Sequence, residues 1–149
     1  MQESAMECEF PMKSANDAQM KSILERVKTI AIMGLSPDES KDSNKVARYL
    51  QSQGYKIIPV YPKVDEDILG EKVYTSLADV PDVVDMVNIF RKPAALDPIA
   101  DACIARGDVK VFWSQKGIVN NAAAQKAENA GIEVVQNHCS MVEHRKLLG

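Results

Sequence analysis

A Gly34–Leu35–Ser36 turn follows a short apolar run and precedes a helical pattern. The backbone N–H groups of such a turn, the Ser36 hydroxyl and the positive end of a helix beginning near Ser43 could together hold a phosphate. Lys41 lies in the same loop, and Gly34 would let the backbone approach a ligand closely. Two glycines of the dinucleotide pattern G-x-G-x-x-G are absent. The alternative is a plain strand-to-helix turn with a capping serine.

A lysine follows the second apolar run, which ends with Val60, Pro62 and Lys63. An NAD-binding domain usually has Asp or Glu here, because that carboxylate holds the ribose 2′-hydroxyl. Lys63 instead favours a ribose that carries an extra phosphate, as in NADP and coenzyme A. The alternative is that Lys63 is a solvated loop residue.

Two basic residues, Arg91 and Lys92, come directly after the third apolar run. At the carboxyl end of a strand they could contact a pyrophosphate, but Arg91 could equally pair with an acid such as Asp97. After the fourth run, Trp113 is expected to pack with its indole N–H satisfied locally. Gln115 could hydrogen-bond a ligand amide.

One cluster near the C-terminus has residue types suited to metal binding or nucleophilic catalysis. A zinc site needs three or four convergent ligands, and a Cys/His pair needs hydrogen-bond reach, so a structural role is favoured. We therefore predict neither a metal site nor a catalytic residue. The cluster consists of His138, Cys139, Glu143 and His144.

The other two cysteines are also predicted to be unreactive. Cys103 lies on the apolar face of a predicted helix and should belong to the core. Cys8 lies in a loose tail between two glutamates, which would raise its pKa. Three cysteines without a C-x-x-C pair are typical of a reducing compartment.

Composition limits the class of protein. The chain has 149 residues, of which 26% are charged and 46% hydrophobic, and its net charge is −3. These values indicate one globular domain without the dense basic stretch of a nucleic-acid-binding protein. No secretory signal and no membrane-spanning run are apparent, so a cytoplasmic location is predicted. The net negative charge is still compatible with an anionic ligand, because a pocket can be basic on an acidic protein.

The elements that must position these loops alternate between strands and helices. Three predicted helices end at Gly54, Gly107 and Gly131, each followed by an apolar strand. This alternation predicts a single α/β Rossmann-like domain with a parallel sheet of about five strands, in the order 3-2-1-4-5, and helices on both faces. Residues 1–13 are predicted to form a flexible tail, and residues 14–149 the domain.

Three helix starts can be assigned from their capping residues. Ser14 or Asn16 should cap the first helix. Asn120 or Asn121 should start the helix after the fourth strand. The pair Asp97–Pro98 should start the helix after the third strand, with proline in the first turn.

From about Lys28 to Gly149, the chain resembles the stand-alone CoA-binding domain proteins. These are related to the N-terminal CoA-binding domain of the succinyl-CoA synthetase α subunit. The matching segments are "IMGLSPDESKDSNKVARYLQSQGYKIIPVYP", "ILGEKVYTSLADVPDVVDMVNIFRKP", "VFWSQKGIVNNAAAQKAENAGIEVV" and "HCSMVEHRKL". The sequence departs from the family's usual V-N-P at Tyr61, from W-L-Q-x-G at Ser114 and from D-R-C at Asn137–His138.

The resemblance implies that the protein binds coenzyme A or an acyl-CoA without catalysis of its own. The phosphohistidine of the synthetases belongs to a second domain, and neither His138 nor His144 lies in a comparable segment. NADP-dependent oxidoreductase or NADP-binding protein is the alternative. A protein partner or a homo-oligomer is compatible, and neither nucleic acid nor membrane is expected. The implied ligand-binding residues are Gly34, Leu35, Ser36, Lys41, Ser43, Val60, Pro62, Lys63, Phe90, Arg91, Lys92, Trp113 and Gln115.

Overall fold

Five parallel strands form one sheet with helices on both faces, in a computed structural model that describes residues 10–63 and 66–149. This confirms the predicted single α/β, Rossmann-like fold. The strands are β1 (Thr29–Met33), β2 (Lys56–Val60), β3 (Met86–Ile89), β4 (Val111–Ser114) and β5 (Glu133–Val135). The helices are α1 (Asp17–Arg26), α2 (Asp42–Ser52), α3 (Leu96–Arg106), α4 (Asn121–Asn129) and α5 (Ser140–Leu147). Short 3-10 helices occupy Leu77–Asp79 and Pro93–Ala95.

The strand order is β2-β1-β3-β4-β5, so the predicted order 3-2-1-4-5 is wrong. The reason lies at the outer edge of β2. There the Tyr74 amide donates to the Pro59 carbonyl at 3.0 Å, and the Tyr61 amide donates to the Tyr74 carbonyl at 2.9 Å. These bonds occupy the edge that β3 would have needed, and β3 pairs instead with the other edge of β1.

Two apolar layers enclose the sheet, because alternate residues of a strand point to opposite faces. Ile30 and Ile32 of β1 pack in the layer with α1, α2 and α5. Ala31 and Met33 pack in the layer with α3 and α4. The near-continuous apolar strands of the sequence are therefore buried on both faces.

Two of the predicted helix caps are confirmed, and the third helix start differs. The Asn16 side chain accepts from the Gln19 amide at 2.8 Å, and the Asn120 side chain accepts from the Ala123 amide at 3.1 Å. Helix α3 begins at Leu96, one residue before the predicted start, as a continuation of the 3-10 helix that precedes it.

The predicted tail is described from Phe10 onward, and Cys8 lies outside the described residues. The Met12 amide donates to Asn121 Oδ1 at 2.9 Å, and Asn121 Nδ2 donates to the Phe10 carbonyl at 2.7 Å. Residues 10 and 12 thus contact the start of α4.

Candidate functional site

A cleft of about 630 Å³ opens at the carboxyl ends of β1, β3 and β4. The chain leaves β1 toward β2 on one side, whereas β3 lies on the other side. Such a reversal of strand order is where open α/β sheets bind ligands. The cleft is lined by Asp42, Lys45, Val46, Phe90, Arg91, Lys92, Pro93, Gln115, Lys116, Ile118, Cys139 and Met141.

Four cationic side chains face this cleft against one acidic side chain, Asp42. The cations are Lys45, Arg91, Lys92 and Lys116. Within residues 10–63 and 66–149, none of the four has a carboxylate within ion-pair distance. Unpaired positive charge concentrated in a cleft of a net-negative chain is suited to an anionic ligand.

The proposed pairing of Arg91 with Asp97 does not occur. Asp97 pairs with Lys126 at 2.8 Å, and Lys126 also contacts Asp101 at 2.9 Å. The hydrogen bonds that Lys126 donates to Asp97 and Asp101 raise its pKa. Arg91 is consequently left exposed at the cleft.

The N-terminus of α2 adds to the positive potential. Lys41 is its N-cap, and no side chain caps the helix there. Asp42, Lys45 and Val46 of its first turns line the cleft. Uncapped N–H groups at a helix N-terminus attract anions.

The predicted phosphate loop is held mainly by its own hydrogen bonds. The Ser36 amide donates to Ser43 Oγ at 3.0 Å, and the Asp38 amide donates to Ser36 Oγ at 3.1 Å. Asn44 Nδ2 donates to the Ser36 carbonyl at 2.8 Å. Hydrogen bonds from Ser40 hold the pKa of Asp38 below its ordinary value. Ser43 thus shapes the loop, and the loop has fewer N–H groups left for a phosphate than the sequence implied.

Gly34 joins the loop to the sheet. Its amide donates to the Val60 carbonyl at 2.8 Å, and the Phe90 amide donates to the Met33 carbonyl at 2.9 Å. A Cβ atom at position 34 would lie 2.7 Å from the Phe90 carbonyl oxygen. The structure therefore requires glycine here for close approach to β3.

Three other predicted residues have fully or nearly fully buried side chains. Leu35 and Val60 pack in the two apolar layers. Trp113 is fully buried, and its Nε1–H donates to the His138 carbonyl at 2.9 Å. For Trp113 this is the packing role expected from the sequence.

The loop after β2 lies apart from the cleft. Pro62 and Lys63 are exposed and are not among the lining residues. Because β1 separates β2 from β3, Lys63 does not adjoin Arg91 and Lys92 as the predicted strand order required.

Gln115 is at the floor of the cleft and is almost fully buried. Its Nε2 donates to Asn88 Oδ1 at 2.6 Å and to Ser140 Oγ at 3.1 Å. Asn88 Nδ2 donates to Ser140 Oγ at 2.8 Å. This buried triangle links β3, β4 and the start of α5.

Sequence reasoning missed several lining residues, including Lys45, Lys116, Cys139 and Met141. Lys116 directly follows Gln115 and was detectable as a basic residue in the loop after the fourth strand. Lys45 lies one turn into α2, where only the helix orientation shows that it faces the cleft. The sequence favoured a structural role for Cys139, yet this residue is half-buried and lines the cleft.

The remaining C-terminal residues make structural contacts. His138 Nδ1 lies 3.0 Å from Glu143 Oε2. His144 Nδ1 lies 2.8 Å from the Tyr49 hydroxyl, and burial lowers the pKa of His144. Cys103 is buried as predicted, and burial raises the pKa of its thiol to about 12.

Two kinds of feature are missing from the described part of the chain. Residues 10–63 and 66–149 contain no group of three or more His, Cys, Asp or Glu side chains placed to hold a metal ion. No helix among them has the length and apolarity to cross a membrane.

Comparison with protein families assigns most of the chain. Residues 28–145 match the family described as "CoA binding domain". The Bacillus subtilis (strain 168) protein YneT is 38% identical over 133 residues, which are 89% of this chain and 97% of YneT. A hypothetical protein from Pyrococcus horikoshii OT3 has a solved structure with a TM-score of 0.87 and 40% identity. That match covers 95% of this chain and 98% of the other.

Part of a larger enzyme is also similar to this chain. Acetate–CoA ligase [ADP-forming] II of Archaeoglobus fulgidus is 36% identical over 115 residues. The match covers 74% of this chain but only 17% of the ligase. The chain therefore corresponds to less than a fifth of that enzyme.

Proposed function

The chain belongs to the CoA binding domain family, and we propose that it binds coenzyme A or an acyl-CoA in the cleft at the carboxyl ends of β1, β3 and β4. One observation supports this above all. Four cations without ion-pair partners among the described residues line a cleft on a chain whose net charge is −3. Coenzyme A is an anion with a pyrophosphate and a ribose phosphate, so it matches this charge.

The pyrophosphate is assigned to the space between the α2 N-terminus and the loop after β3. Lys45 lies near the N-terminus of α2, and Arg91 and Lys92 lie in the loop after β3. Phosphate oxygens between these two walls of the cleft would therefore be close to positive charge on both sides. Arginine can bind phosphate in bidentate fashion, whereas lysine acts as a point charge. Gly34, Leu35, Ser36, Lys41 and Ser43 contribute the turn that supports this wall.

The adenosine end is assigned to the side of the loop after β2. Val60 and Pro62 lie at this end of β2, and Lys63 is exposed just beyond them. Neighbouring strands are about 4.8 Å apart, so β2 and β3 are separated by about 10 Å. A ligand as long as CoA can extend from one to the other, and Lys63 is then the candidate for the ribose phosphate.

The binding is proposed to occur without catalysis by this chain. Support comes from the family match over residues 28–145, whose description names CoA binding and no reaction. The proposal places the protein in the cytoplasm and allows a protein partner or a second copy to use the bound CoA. Any enzymatic step would then require groups from outside this chain.

Isothermal titration calorimetry of the whole chain tests the proposal. We expect CoA to bind more tightly than dephospho-CoA, because the latter lacks the ribose phosphate. NADPH serves as the competing ligand, since the sequence left NADP open and the related proteins give it no support. The proposal would be overturned if CoA does not bind at millimolar concentration. A Kd of about 1 mM corresponds to a binding free energy of about −4 kcal/mol. Tight NADPH binding without a response to CoA would replace the proposal.

A further inference from the structure

We infer that Gln115 accepts a hydrogen bond from the pantetheine part of the ligand, and that Asn88 fixes Gln115 in this role. The inference rests on the proposed function and deepens it. Both residues belong to the buried triangle with Ser140. Asn88 is fully buried and does not line the cleft, whereas Gln115 does.

The hydrogen bonds of Gln115 decide what it can offer a ligand. A glutamine amide has two N–H donors and one carbonyl acceptor. Both donors are used, one on Asn88 Oδ1 at 2.6 Å and one on Ser140 Oγ at 3.1 Å. Its Oε1 receives only a long contact, 3.4 Å, from the Ser140 amide. Gln115 can therefore offer a ligand only its Oε1 atom, as a hydrogen-bond acceptor.

Asn88 sets this orientation of the Gln115 amide. Its Nδ2 donates to Ser140 Oγ at 2.8 Å and its Oδ1 faces Gln115 Nε2, while the Ser140 backbone N–H, which can only donate, faces Gln115 Oε1 at 3.4 Å. An oxygen at that place requires Gln115 to present Nε2 to it. A reversed Gln115 amide would put two carbonyl oxygens together in a buried site, which is costly.

An acceptor at the cleft floor selects a donor group on the ligand. Phosphate oxygens are acceptors, so Gln115 does not suit them, and the cations Lys45, Arg91 and Lys116 do. The pantetheine arm of CoA contains two amide N–H groups and one hydroxyl. Gln115 therefore belongs to the arm, and the cations belong to the phosphates.

The test compares CoA with adenosine 3′,5′-bisphosphate, which has phosphates but no pantetheine. The substitution Gln115→Met keeps the length of the side chain and removes its polar atoms. CoA affinity should fall about three- to tenfold, the range for one neutral hydrogen bond, while bisphosphate affinity stays unchanged. Asn88→Leu should produce the same selective loss through Gln115.

Gln136→Met is the matched control. Gln136 is also buried and hydrogen-bonded, since it accepts from the Asn120 amide at 2.8 Å, but it does not line the cleft. Its substitution should alter stability and leave both affinities as in the parent protein. If Gln115→Met leaves CoA affinity unchanged, or lowers both affinities equally, the inference is overturned. If the parent protein binds neither ligand, the proposed function itself fails.

A second measurement needs no variant and applies even if Gln115→Met does not fold. In NMR spectra of ¹⁵N-labelled protein, both Gln115 side-chain amide hydrogens should exchange slowly, with and without CoA. The reason is that both stay on buried partners, Asn88 and Ser140. Transfer of either hydrogen to the ligand, seen as a large shift of its signal on adding CoA, would overturn the assignment.

Discussion

Gly34 and Phe90 approach each other so closely that the space for a side chain is missing between them. A Cβ atom on Gly34 would lie 2.7 Å from the Phe90 carbonyl oxygen, and the Gly34 backbone has a φ of +86°. The contact joins the end of β1 to the end of β3, where the strand order reverses. The sequence suggested that Gly34 lets a phosphate approach the backbone. The structure shows that glycine is already needed there for the close packing of Gly34 against Phe90.

Gly34→Ala is expected to destabilise the protein by about 2–5 kcal/mol, from left-handed backbone strain and the clash with a carbonyl that cannot easily move. Gly54→Ala is the control, because Gly54 has a φ of +99° but a Cβ atom there would meet no atom within 4 Å. It should cost only about 1–2 kcal/mol. Urea unfolding measures both, and equal losses would show that Phe90 is not the cause.

Removing cations from the cleft is predicted to weaken ligand binding strongly. Arg91→Ala combined with Lys116→Ala should weaken CoA at least about tenfold at low salt, because each charge-assisted contact contributes about 1.5–3 kcal/mol. The loss should shrink at high salt, where screening weakens the attraction in the parent protein too. Lys21→Ala with Lys110→Ala removes the same charge at exposed positions away from the cleft. Similar losses in the two double variants would contradict a local site.

Lys63 has a separate prediction, because it lies apart from the cleft. Lys63→Ala should lower CoA affinity about three- to tenfold and leave dephospho-CoA affinity unchanged, since only CoA has the ribose phosphate. Calorimetry with both ligands measures the difference. An equal effect on the two ligands would assign Lys63 to general electrostatic attraction.

Arg106 is predicted to be important for stability. Its guanidinium donates to the carbonyls of Leu77, Val80 and Asp82 at 2.7–2.9 Å and to both Asp108 oxygens. Arg106→Ala should cost about 3 kcal/mol or more, because several carbonyls of the segment leading into β3 lose their donor. Arg48→Ala is the control, since exposed Arg48 bonds one carbonyl and should cost within about 0.5 kcal/mol. Urea unfolding measures both variants, and equal losses of unfolding free energy in the two would contradict this role of Arg106.

His144 predicts a loss of stability in mild acid. Burial lowers its pKa in the folded protein, so the unfolded chain takes up a proton more readily. Stability is full above the ordinary histidine pKa of about 6.5 and falls as the pH drops from there toward the lower folded value. His144→Leu should flatten the stability curve in that range. Unfolding midpoints measured between about pH 5 and 8 check the slope, and an unchanged slope would exclude His144 as its source.

The sequence by itself determined which elements form. Near-continuous apolar runs bounded by glycine predicted five buried parallel strands, and capping asparagines predicted the starts of α1 and α4. These signals are local, because a cap or a helix-ending glycine acts within one turn of its own residue. The resemblance to CoA-binding proteins rested on the same residues in order along the chain, and the family match agrees with it.

Only the tertiary structure decided how the strands pair and which loops share a site. Tyr74 occupies the outer edge of β2, and β3 pairs with β1. The loop that carries Arg91 therefore lies beside the loop of Lys116, whereas the predicted strand order had put it beside Lys63. The buried bonds of Gln115 likewise depend on Asn88 and Ser140, which are 27 and 25 residues away in the sequence. Such contacts depend on which surfaces the folded chain leaves open, and no local pattern of residues specifies them.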